Sequence, residues 1–289
     1  MKKLIIEVGS TCTKVDIYDG EKIERLENIT IQLKKHYEEN KCLREEDVNL
    51  LVQSINKLKE VTEDIYVCGT SIFRTISEEE KEKFLKEFYT RTGYEFHIIS
   101  QEEENFFTVY GVSRCINQKI GVMIGGGGST EIAIVNDKIL ETVNSKIGVI
   151  DVMREFPDLA SDIATTNIEV VKDFIRNKIN LPKGKADILV LAGGGHERFA
   201  RQSGITYKDN TLYKDIAASI MMDIETRKKD TKRFYEEISL NEIREVFGDK
   251  EWWYGTRAMC AFVLVVAEEM GAKYIVPTDI TMTYGILNK

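Results

Sequence analysis

The sequence has few cysteines and no long apolar run. Its five cysteines are scattered and odd in number, and no Cys-x-x-Cys pair occurs, so neither a disulfide framework nor a zinc site is indicated. No stretch approaches the roughly 18 apolar residues of a membrane-spanning helix, and the first residues lead into a short strand-like run. We therefore expect reduced thiols in a cytoplasmic protein that has no membrane partner.

The sequence also has fewer positive than negative charges. The chain carries 40 Lys and Arg against 48 Asp and Glu, which gives a formal net charge of −8. Binding to a nucleic-acid duplex requires an excess of basic residues on one face, so we do not expect that partner. Binding of a small phosphate-rich substrate is compatible with this charge, because a few local cations are enough to hold one.

Proline and flexible linkers are scarce as well. The 289 residues are enough for two domains. With three prolines and no Ser/Gly-rich stretch, the sequence shows no flexible linker between them. Strand-like and helix-like runs alternate along both halves, which predicts an α/β fold. Apolar residues at helical spacing predict one helix from near Glu45 and another from Thr256 to Met270. A short closing helix is expected from Asp279 to Leu287.

What the sequence does contain is the tripeptide Gly-Ser-Thr in two matched settings, each between two strand-like runs. The two copies are Gly9, Ser10, Thr11 and Gly128, Ser129, Thr130. Glycine lets the backbone approach a ligand, successive N–H groups in a tight turn bind anions, and hydroxyls add donors. One such turn is more often just a hairpin, but its recurrence favours two loops that grip consecutive phosphates.

Other residues have the chemistry that phosphoryl transfer requires. Thr70, Ser71 and Arg74 can hold a phosphate, although Arg74 is explained equally well as a structural ion-pair partner. Glu131 follows the second Gly-Ser-Thr turn, where a carboxylate can reach a metal ion or a water molecule.

An acidic helix start supplies candidates for a general base. Ser100 is a good N-cap for a helix that opens with Gln101 and three glutamates. The positive end of the helix dipole keeps such a carboxylate ionised, so Glu103 or Glu104 is able to accept a proton or orient water. Glutamates in a first turn are more commonly dipole partners on a solvated face, and that interpretation stays open.

A run of three glycines follows a later strand. Gly193, Gly194 and Gly195 stand immediately before His196. This turn is either a nucleotide-binding turn or the tight strand-to-helix junction that α/β folds need.

Taken together, these segments resemble the exopolyphosphatase and guanosine pentaphosphate phosphohydrolase (Ppx/GppA) family, within the superfamily of acetate kinase, sugar kinases, heat-shock chaperone ATPases and actin. The likeness covers nearly the whole chain and rests on the order and spacing of its motifs. They lie at residues 7–11, 69–74, 99–104, 126–131 and 192–195, with a closing segment at residues 278–287.

The resemblance implies a fold, a reaction and a cofactor. The fold would consist of two ribonuclease H-like (actin-like ATPase) domains around a central cleft: residues 1–118, completed by residues 279–289, and residues 119–278. The reaction would release the terminal phosphate of polyphosphate or of guanosine pentaphosphate, with Mg²⁺ as the cofactor. Relatives often dimerise, so a homodimer is allowed.

Carried over by position, the resemblance gives each candidate a role. One of Glu103 and Glu104 would be the water-activating base, Glu131 the second functional carboxylate, and Glu7 with Glu131 the metal ligands. Gly193, Gly194 and Gly195 would lie on the nucleotide side. The phosphate-binding residues would be Gly9, Ser10, Thr11, Thr70, Ser71, Arg74, Gly127, Gly128, Ser129 and Thr130.

Several positions depart from the family pattern. The aspartate that usually precedes each glycine loop is replaced by Glu7 in the first copy and by Ile124 in the second, and isoleucine cannot coordinate magnesium. The usual Ala-Arg after the glutamate pair is Asn105-Phe106, which removes a positive charge. Three functions therefore stay open: a phosphoanhydride hydrolase, a catalytically weak or inactive phosphate-ligand sensor of the same fold, and a small-molecule kinase.

Overall fold

The computed structural model describes residues 2–9, 12–113, 118–213, 217–247 and 254–287. The chain divides by its internal contacts into two compact units, Met1–Phe106 and Phe107–Lys289. Each unit is built on its own β-sheet with helices packed against it, so the predicted α/β class is confirmed. The domain assignment of residues 1–118 with 279–289, and of residues 119–278, divides the chain differently and stays a prediction.

The sheet of the first unit has five strands among the described residues, in the order β3-β2-β1-β4-β5. Strands β1 and β2 and strands β2 and β3 pair antiparallel, whereas β1, β4 and β5 run parallel. The strands are β1 (Lys3–Val8), β2 (Cys12–Tyr18), β3 (Ile23–Thr30), β4 (Ile65–Gly69) and β5 (Phe96–Ile98). The helices are α1 (Leu33–Asn40), α2 (Glu45–Leu58), α3 (Glu78–Thr92) and α4 (Gln101–Ser113), the last of which continues into the second unit.

Helix α2 shows why periodicity predicts this unit well. The helix begins at Glu45 as the sequence predicts, and the apolar residues at helical spacing are buried against the sheet. Each such side chain stabilises the fold by about 1.5–3 kcal/mol relative to leaving it exposed. The buried apolar residues of α2 are Val48, Leu51, Val52, Ile55 and Leu58.

The three parallel strands end at one edge of the sheet. Val8 pairs with Gly69, and Gly69 pairs with Ile98, so β1, β4 and β5 stop level with one another. The backbone continues this alignment beyond the strands, because the Thr70 N–H donates to the Val8 carbonyl (3.1 Å) and the Ile99 N–H donates to the Gly69 carbonyl (2.9 Å). The segments that follow the three strands therefore start side by side.

The sheet of the second unit has seven strands among the described residues, in the order β10-β11-β12-β9-β6-β7-β8. The strands are β6 (Ile120–Gly125), β7 (Thr130–Asn136), β8 (Lys138–Ser145), β9 (Ile188–Ala192), β10 (Lys208–Asp209), β11 (Ile220–Asp223) and β12 (Tyr274–Pro277). The helices are α5 (Val149–Glu155), α6 (Ile168–Arg176), α7 (His196–Gln202), α8 (Ile224–Glu236), α9 (Leu240–Phe247), α10 (Thr256–Met270) and α11 (Met282–Leu287).

Helix α10 is the central helix of this unit and has the bounds that the sequence predicts. Its residues 260–267 are buried on every side, and Gly271 ends the helix in the left-handed conformation (φ 75°). The closing helix α11 starts at Met282, later than the sequence predicts. The reason is that the Asp279 carboxylate accepts the Glu197 N–H at the start of α7 (3.0 Å), which holds this residue in a loop.

In the part of the chain that the structure describes, no helix combines the length and the apolar character that a membrane crossing requires.

Candidate active site

Arg74 lies at the edge of the first sheet where the parallel strands end. A short 3₁₀ helix, Ser71–Arg74, follows β4 and directs the guanidinium toward the start of α4. Arg74 Nη1 donates to the Ile99 carbonyl (3.1 Å) and to Glu104 Oε2 (2.8 Å), and Nη2 donates to Gln101 Oε1 (2.8 Å). The Arg74 side chain is 23% exposed, so one face of the cation is accessible to a ligand.

Ser100 and Glu103 form a capping box at the start of α4. The Ser100 hydroxyl accepts the Glu103 N–H (3.1 Å), and Glu103 Oε2 accepts the Ser100 N–H (3.0 Å). The predicted N-cap is thus confirmed. The arrangement gives Glu103 a structural task at the end of the helix.

Unlike Glu103, which turns back to the N-terminal cap of α4, Glu104 lies next to a buried ion pair. Lys14 on β2 donates from Nζ to Glu7 Oε1 on β1 at 2.8 Å, and Glu7 is buried. The charge of Glu7 raises the pKa of Lys14 against the effect of burial, and Glu104 contributes to the same rise. On the neighbouring strand, burial raises the pKa of the Cys68 thiol, helped by the charges of Glu7 and Glu104. Glu104 therefore shares its surroundings with Glu7 and Lys14.

The first Gly-Ser-Thr loop is described only in part. Gly9 donates its N–H to the Cys12 carbonyl (3.1 Å), while Ser10 and Thr11 lie outside the described residues. Thr70 is buried at the end of β4, and Ser71 follows it in the 3₁₀ helix. The structure thus brings Gly9, Thr70, Arg74 and Glu104 to one edge of the first sheet.

The second Gly-Ser-Thr loop joins β6 to β7 in the second unit. The Gly126 N–H donates to the Ser129 carbonyl (2.9 Å), and the loop carbonyls of Gly126 and Gly127 accept the N–H groups of Val149 (3.1 Å) and Ile150 (2.8 Å). No described residue accepts the N–H groups of Gly127 and Gly128. Two successive amides are therefore available to an anion.

The hydroxyl of Thr130 is used within the fold. Thr130 is buried and donates from Oγ1 to the Ile147 carbonyl (2.9 Å), which ties the end of the loop to the chain after β8. Gly148 then packs so closely that a Cβ there would lie 2.5 Å from the carbonyl carbon of Gly127. The Thr130 hydroxyl thus shapes the loop, and phosphate binding by Ser129 and Thr130 stays a prediction.

The departure at Ile124 is visible in the strand pairing. Ile124 on β6 is directly paired with Glu131 on β7, and Glu131 is buried. The Ile124 side chain also faces the glycine turn, since a Cβ on Gly193 would lie 3.1 Å from Ile124 Cγ2. An apolar group therefore stands next to the loop where the family resemblance expects a carboxylate.

The glycine turn after β9 has three consecutive residues with positive φ. The values are 100° at Gly193, 110° at Gly194 and 81° at Gly195, a conformation that residues with a Cβ rarely adopt. Desolvation and the nearby Arg227 cation lower the pKa of His196, the next residue, to about 4. This geometry is required for a tight strand-to-helix junction, and it equally leaves the backbone bare for a nucleotide.

Glu7 and Glu131 are the two candidate magnesium ligands. Among the described residues, no three Asp, Glu, His or Cys side chains cluster as a protein cage for a metal would require. Glu7 and Glu131 are buried carboxylates, one in each unit, and Glu7 already has Lys14 as its counter-charge. Mg²⁺ commonly binds through one or two carboxylates with phosphates and water, so each of these carboxylates has the chemistry of a magnesium ligand.

Lys14 is the site residue that sequence reasoning missed. It lies in β2 and pairs in register with Glu7, so the two side chains are directly cross-strand neighbours. The signal was the hairpin itself: the predicted strands on either side of the first glycine loop place a carboxylate and an ammonium opposite each other.

Comparison with known proteins identifies the fold. The model of the Ppx/GppA phosphatase family matches residues 21–246. The Aquifex aeolicus Ppx/GppA phosphatase, type II variant, has a similar structure, with a TM-score of 0.77, 19% identity and coverage of 99% of this chain and 98% of that chain. An exopolyphosphatase from Cytophaga hutchinsonii superposes with a TM-score of 0.72 at 15% identity, covering 100% of this chain and 97% of that chain. Among curated protein sequences, none matches. The two-sheet architecture is thus the two-domain actin-like fold of these structures.

Proposed function

This chain belongs to the Ppx/GppA phosphatase family, and from that membership we propose that it hydrolyses the terminal phosphoanhydride bond of polyphosphate or of guanosine pentaphosphate. The observation that carries the proposal is the cluster at the edge of the first sheet. There a glutamate with an arginine partner, Glu104 and Arg74, lies next to the ion pair of Lys14 and Glu7.

We assign the role of water-orienting base to Glu104 and not to Glu103. Glu103 is held by the backbone of Ser100 in the capping box, whereas Glu104 faces Arg74 and the Lys14–Glu7 pair. The cations around Glu104, Arg74 and Lys14, are also the groups that attract a phosphate.

The remaining residues hold and neutralise the phosphates. In the second unit we assign phosphate binding to the N–H groups of Gly127 and Gly128, which no described residue accepts, and in the first unit we assign charge neutralisation to the partly exposed Arg74. Glu7 in the first unit and Glu131 in the second are the candidate ligands for Mg²⁺, which would neutralise phosphate charge.

The reaction is a substitution at the terminal phosphorus. The oxygen of a water molecule bonds to phosphorus, the bond to the bridging oxygen breaks, and Glu104 accepts the proton of the water. Inorganic phosphate leaves, and the shortened substrate carries the bridging oxygen as a new terminal oxygen. Because phosphoryl transfer is governed by positioning and electrostatics, the protein needs no covalent intermediate.

The direct test is phosphate release in the presence of Mg²⁺ from short polyphosphate, long polyphosphate, guanosine pentaphosphate and ATP. We expect release from at least one of the first three, and we expect Glu104→Gln to lower kcat by a factor on the order of 100 to 10,000. A folded protein that releases phosphate from none of them would contradict the proposal.

A second function, a phosphate-ligand sensor, is favoured by one observation. Ile124 stands opposite Glu131, so the second loop has one carboxylate fewer than the family resemblance predicts. A sensor would bind a phosphorylated ligand tightly without turning it over. The same assay, combined with calorimetric titration of each substrate, separates the two functions.

A further inference from the structure

The second unit has a cavity that the proposed reaction does not use. Its volume is about 540 Å³, and it lies between the end of β8, the start of α5 and the segment after α6. The lining residues are Asn144, Lys146, Ile147, Asp151, Lys178 and Asn180.

The two lysines of this cavity have no carboxylate partner in the described parts of the chain. Neither Lys146 nor Lys178 forms an ion pair there, and the Lys178 ammonium instead lies over the Phe174 ring at 4.3 Å from its centroid. The single acid of the lining is already engaged, because Asp151 accepts the Gly148 N–H (3.0 Å) and pairs with Arg154 (3.3 Å). The cavity is therefore positively charged, in a protein whose net charge is −8.

The polar walls of the cavity are fixed by hydrogen bonds. The Asn180 N–H donates to Ser145 Oγ (2.8 Å), and the Asn180 side-chain amide donates to the Asn144 carbonyl (2.8 Å). These bonds hold the segment after α6 against the end of β8. A ligand would thus meet preorganised groups, and less conformational entropy would be lost on binding.

The cavity is bonded directly to the second glycine loop. The carbonyl of its floor residue Ile147 accepts the Thr130 hydroxyl, and the next residues in sequence pack on or bond to Gly126 and Gly127. The positively charged cavity and the glycine loop are therefore neighbours in the second unit. A phosphate chain that is bound by the loop amides has the cavity beside it.

We propose that this cavity is an additional subsite for condensed phosphate, which binds phosphate groups of the substrate beyond those held by the glycine loop. The inference rests on the proposed function and narrows its substrate to inorganic polyphosphate. The two ammonium groups and two side-chain amides of the lining suit a chain of phosphates, and the one carboxylate, Asp151, is turned to the Gly148 N–H and Arg154. A nucleobase would need an aromatic or guanidinium surface to stack on, and the described lining has none.

The kinetic test compares two double variants of equal charge change. Lys146→Gln with Lys178→Gln removes both cations of the cavity. Lys138→Gln with Lys183→Gln, two exposed lysines of the same unit outside the lining, is the control. We expect the cavity variant to raise KM for long-chain polyphosphate about tenfold, with kcat and the KM for guanosine pentaphosphate unchanged. An equal rise for both substrates, or the same rise in the control variant, would overturn the subsite.

A binding measurement separates this inference from the proposed function. The wild-type protein is acetylated with a limiting amine reagent in the absence of Mg²⁺, and the modification of each lysine is read by mass spectrometry. We expect long-chain polyphosphate to protect Lys146 and Lys178 but not Lys138 and Lys183. Protection in a protein that hydrolyses none of the substrates would support the subsite and reject the hydrolase function. Hydrolysis of polyphosphate without protection would support the hydrolase function and reject the subsite.

Inorganic phosphate serves as the second probe, because it offers the same chemistry without a chain. If it protects the two lysines as well as polyphosphate does at equal phosphate concentration, the cavity is a single-anion site and the chain subsite is rejected. If only the polymer protects them, the cavity binds a chain.

Discussion

Arg74 Nη1 and Glu104 Oε2 are 2.8 Å apart at the edge of the first sheet, although the two residues are 30 positions apart in the sequence. The pair joins the 3₁₀ helix after β4 to the first turn of α4. Because Glu104 is the proposed base, its orientation depends on the fork of donors that Arg74 provides.

Replacing Arg74 by lysine should therefore lower turnover. We expect Arg74→Lys to reduce kcat about tenfold, since an ammonium cannot hold Glu104, Gln101 and the Ile99 carbonyl together. Arg91→Lys is the matched control, because Arg91 also joins a carboxylate (Glu87, 2.7 Å) and an amide (Asn49, 2.6 Å) in the same unit. Steady-state kinetics with equal kcat in the two variants would disprove the orienting role.

The capping box of Glu103 has a structural twin at the start of α9. There the Ser239 N–H donates to Glu242 Oε2 (2.8 Å) and the Glu242 N–H donates to Ser239 Oγ (3.1 Å). We expect Glu103→Gln and Glu242→Gln to lower the free energy of unfolding by similar amounts, about 0.3–1 kcal/mol, because glutamine keeps the capping hydrogen bond and loses the negative charge at the helix N-terminus. The kcat should stay near the wild-type value. Denaturant titration and phosphate release measure both. A loss of turnover with Glu103→Gln alone would transfer the base to that residue.

Arg257 should be the most sensitive charged residue for stability. It is fully buried at the start of α10, and its guanidinium donates to five backbone carbonyls from two segments, residues 159–162 and 234–238. These carbonyls belong to Leu159, Ser161, Asp162, Phe234 and Ile238, at 2.7–3.3 Å.

Arg257→Lys would leave several of these carbonyls buried without a donor. We expect the free energy of unfolding to fall by about 3–5 kcal/mol, whereas Arg154→Lys, at a side chain that is 75% exposed, should change it by less than about 0.5 kcal/mol. Urea denaturation of both variants is the measurement. Equal midpoints for the two would show that the Arg257 network is dispensable.

Asp158 should make the stability depend on pH in the acidic range. Desolvation raises its pKa, but hydrogen bonds from Thr166 and Thr165 outweigh that effect and lower the pKa to about 2. The folded pKa is below the unfolded value of about 3.9, so the stabilisation is complete above about pH 5 and is lost as the pH falls toward 2.

Asp158→Asn removes this titration. We expect the free energy of unfolding of the variant to be lower than that of the wild type at pH 5, and the difference to shrink between pH 4 and pH 2. Denaturant titrations at several pH values measure it, with the exposed Asp173→Asn as the control. A difference that is independent of pH would contradict the assigned cause.

The elements of this fold follow from local patterns, and for that reason they could be predicted. Helices α2 and α10 begin where their apolar periodicity begins, and Ser100 caps α4 because a hydroxyl before an acidic turn satisfies free amides. The direction of a side chain at the end of an element depends on tertiary contacts, which adjacent sequence does not encode.

Two neighbouring glutamates illustrate that limit. Glu103 and Glu104 have the same chemistry and nearly the same sequence context, yet one turns back to its helix cap and the other reaches Arg74. Arg257 is a second case, since nothing in the sequence around it indicates that five carbonyls from distant segments converge there. The roles of the site residues themselves stay predictions that the experiments above address.

The close packing of Gly148 on Gly127 has a thermodynamic consequence. Because the backbones touch with no space for a side chain, the loop between β6 and β7 cannot move independently of α5. The conformational entropy of the loop is therefore lost when the protein folds and not when a phosphate arrives. Anion binding at Gly127 and Gly128 should accordingly be accompanied by little change in heat capacity or in amide exchange of the loop.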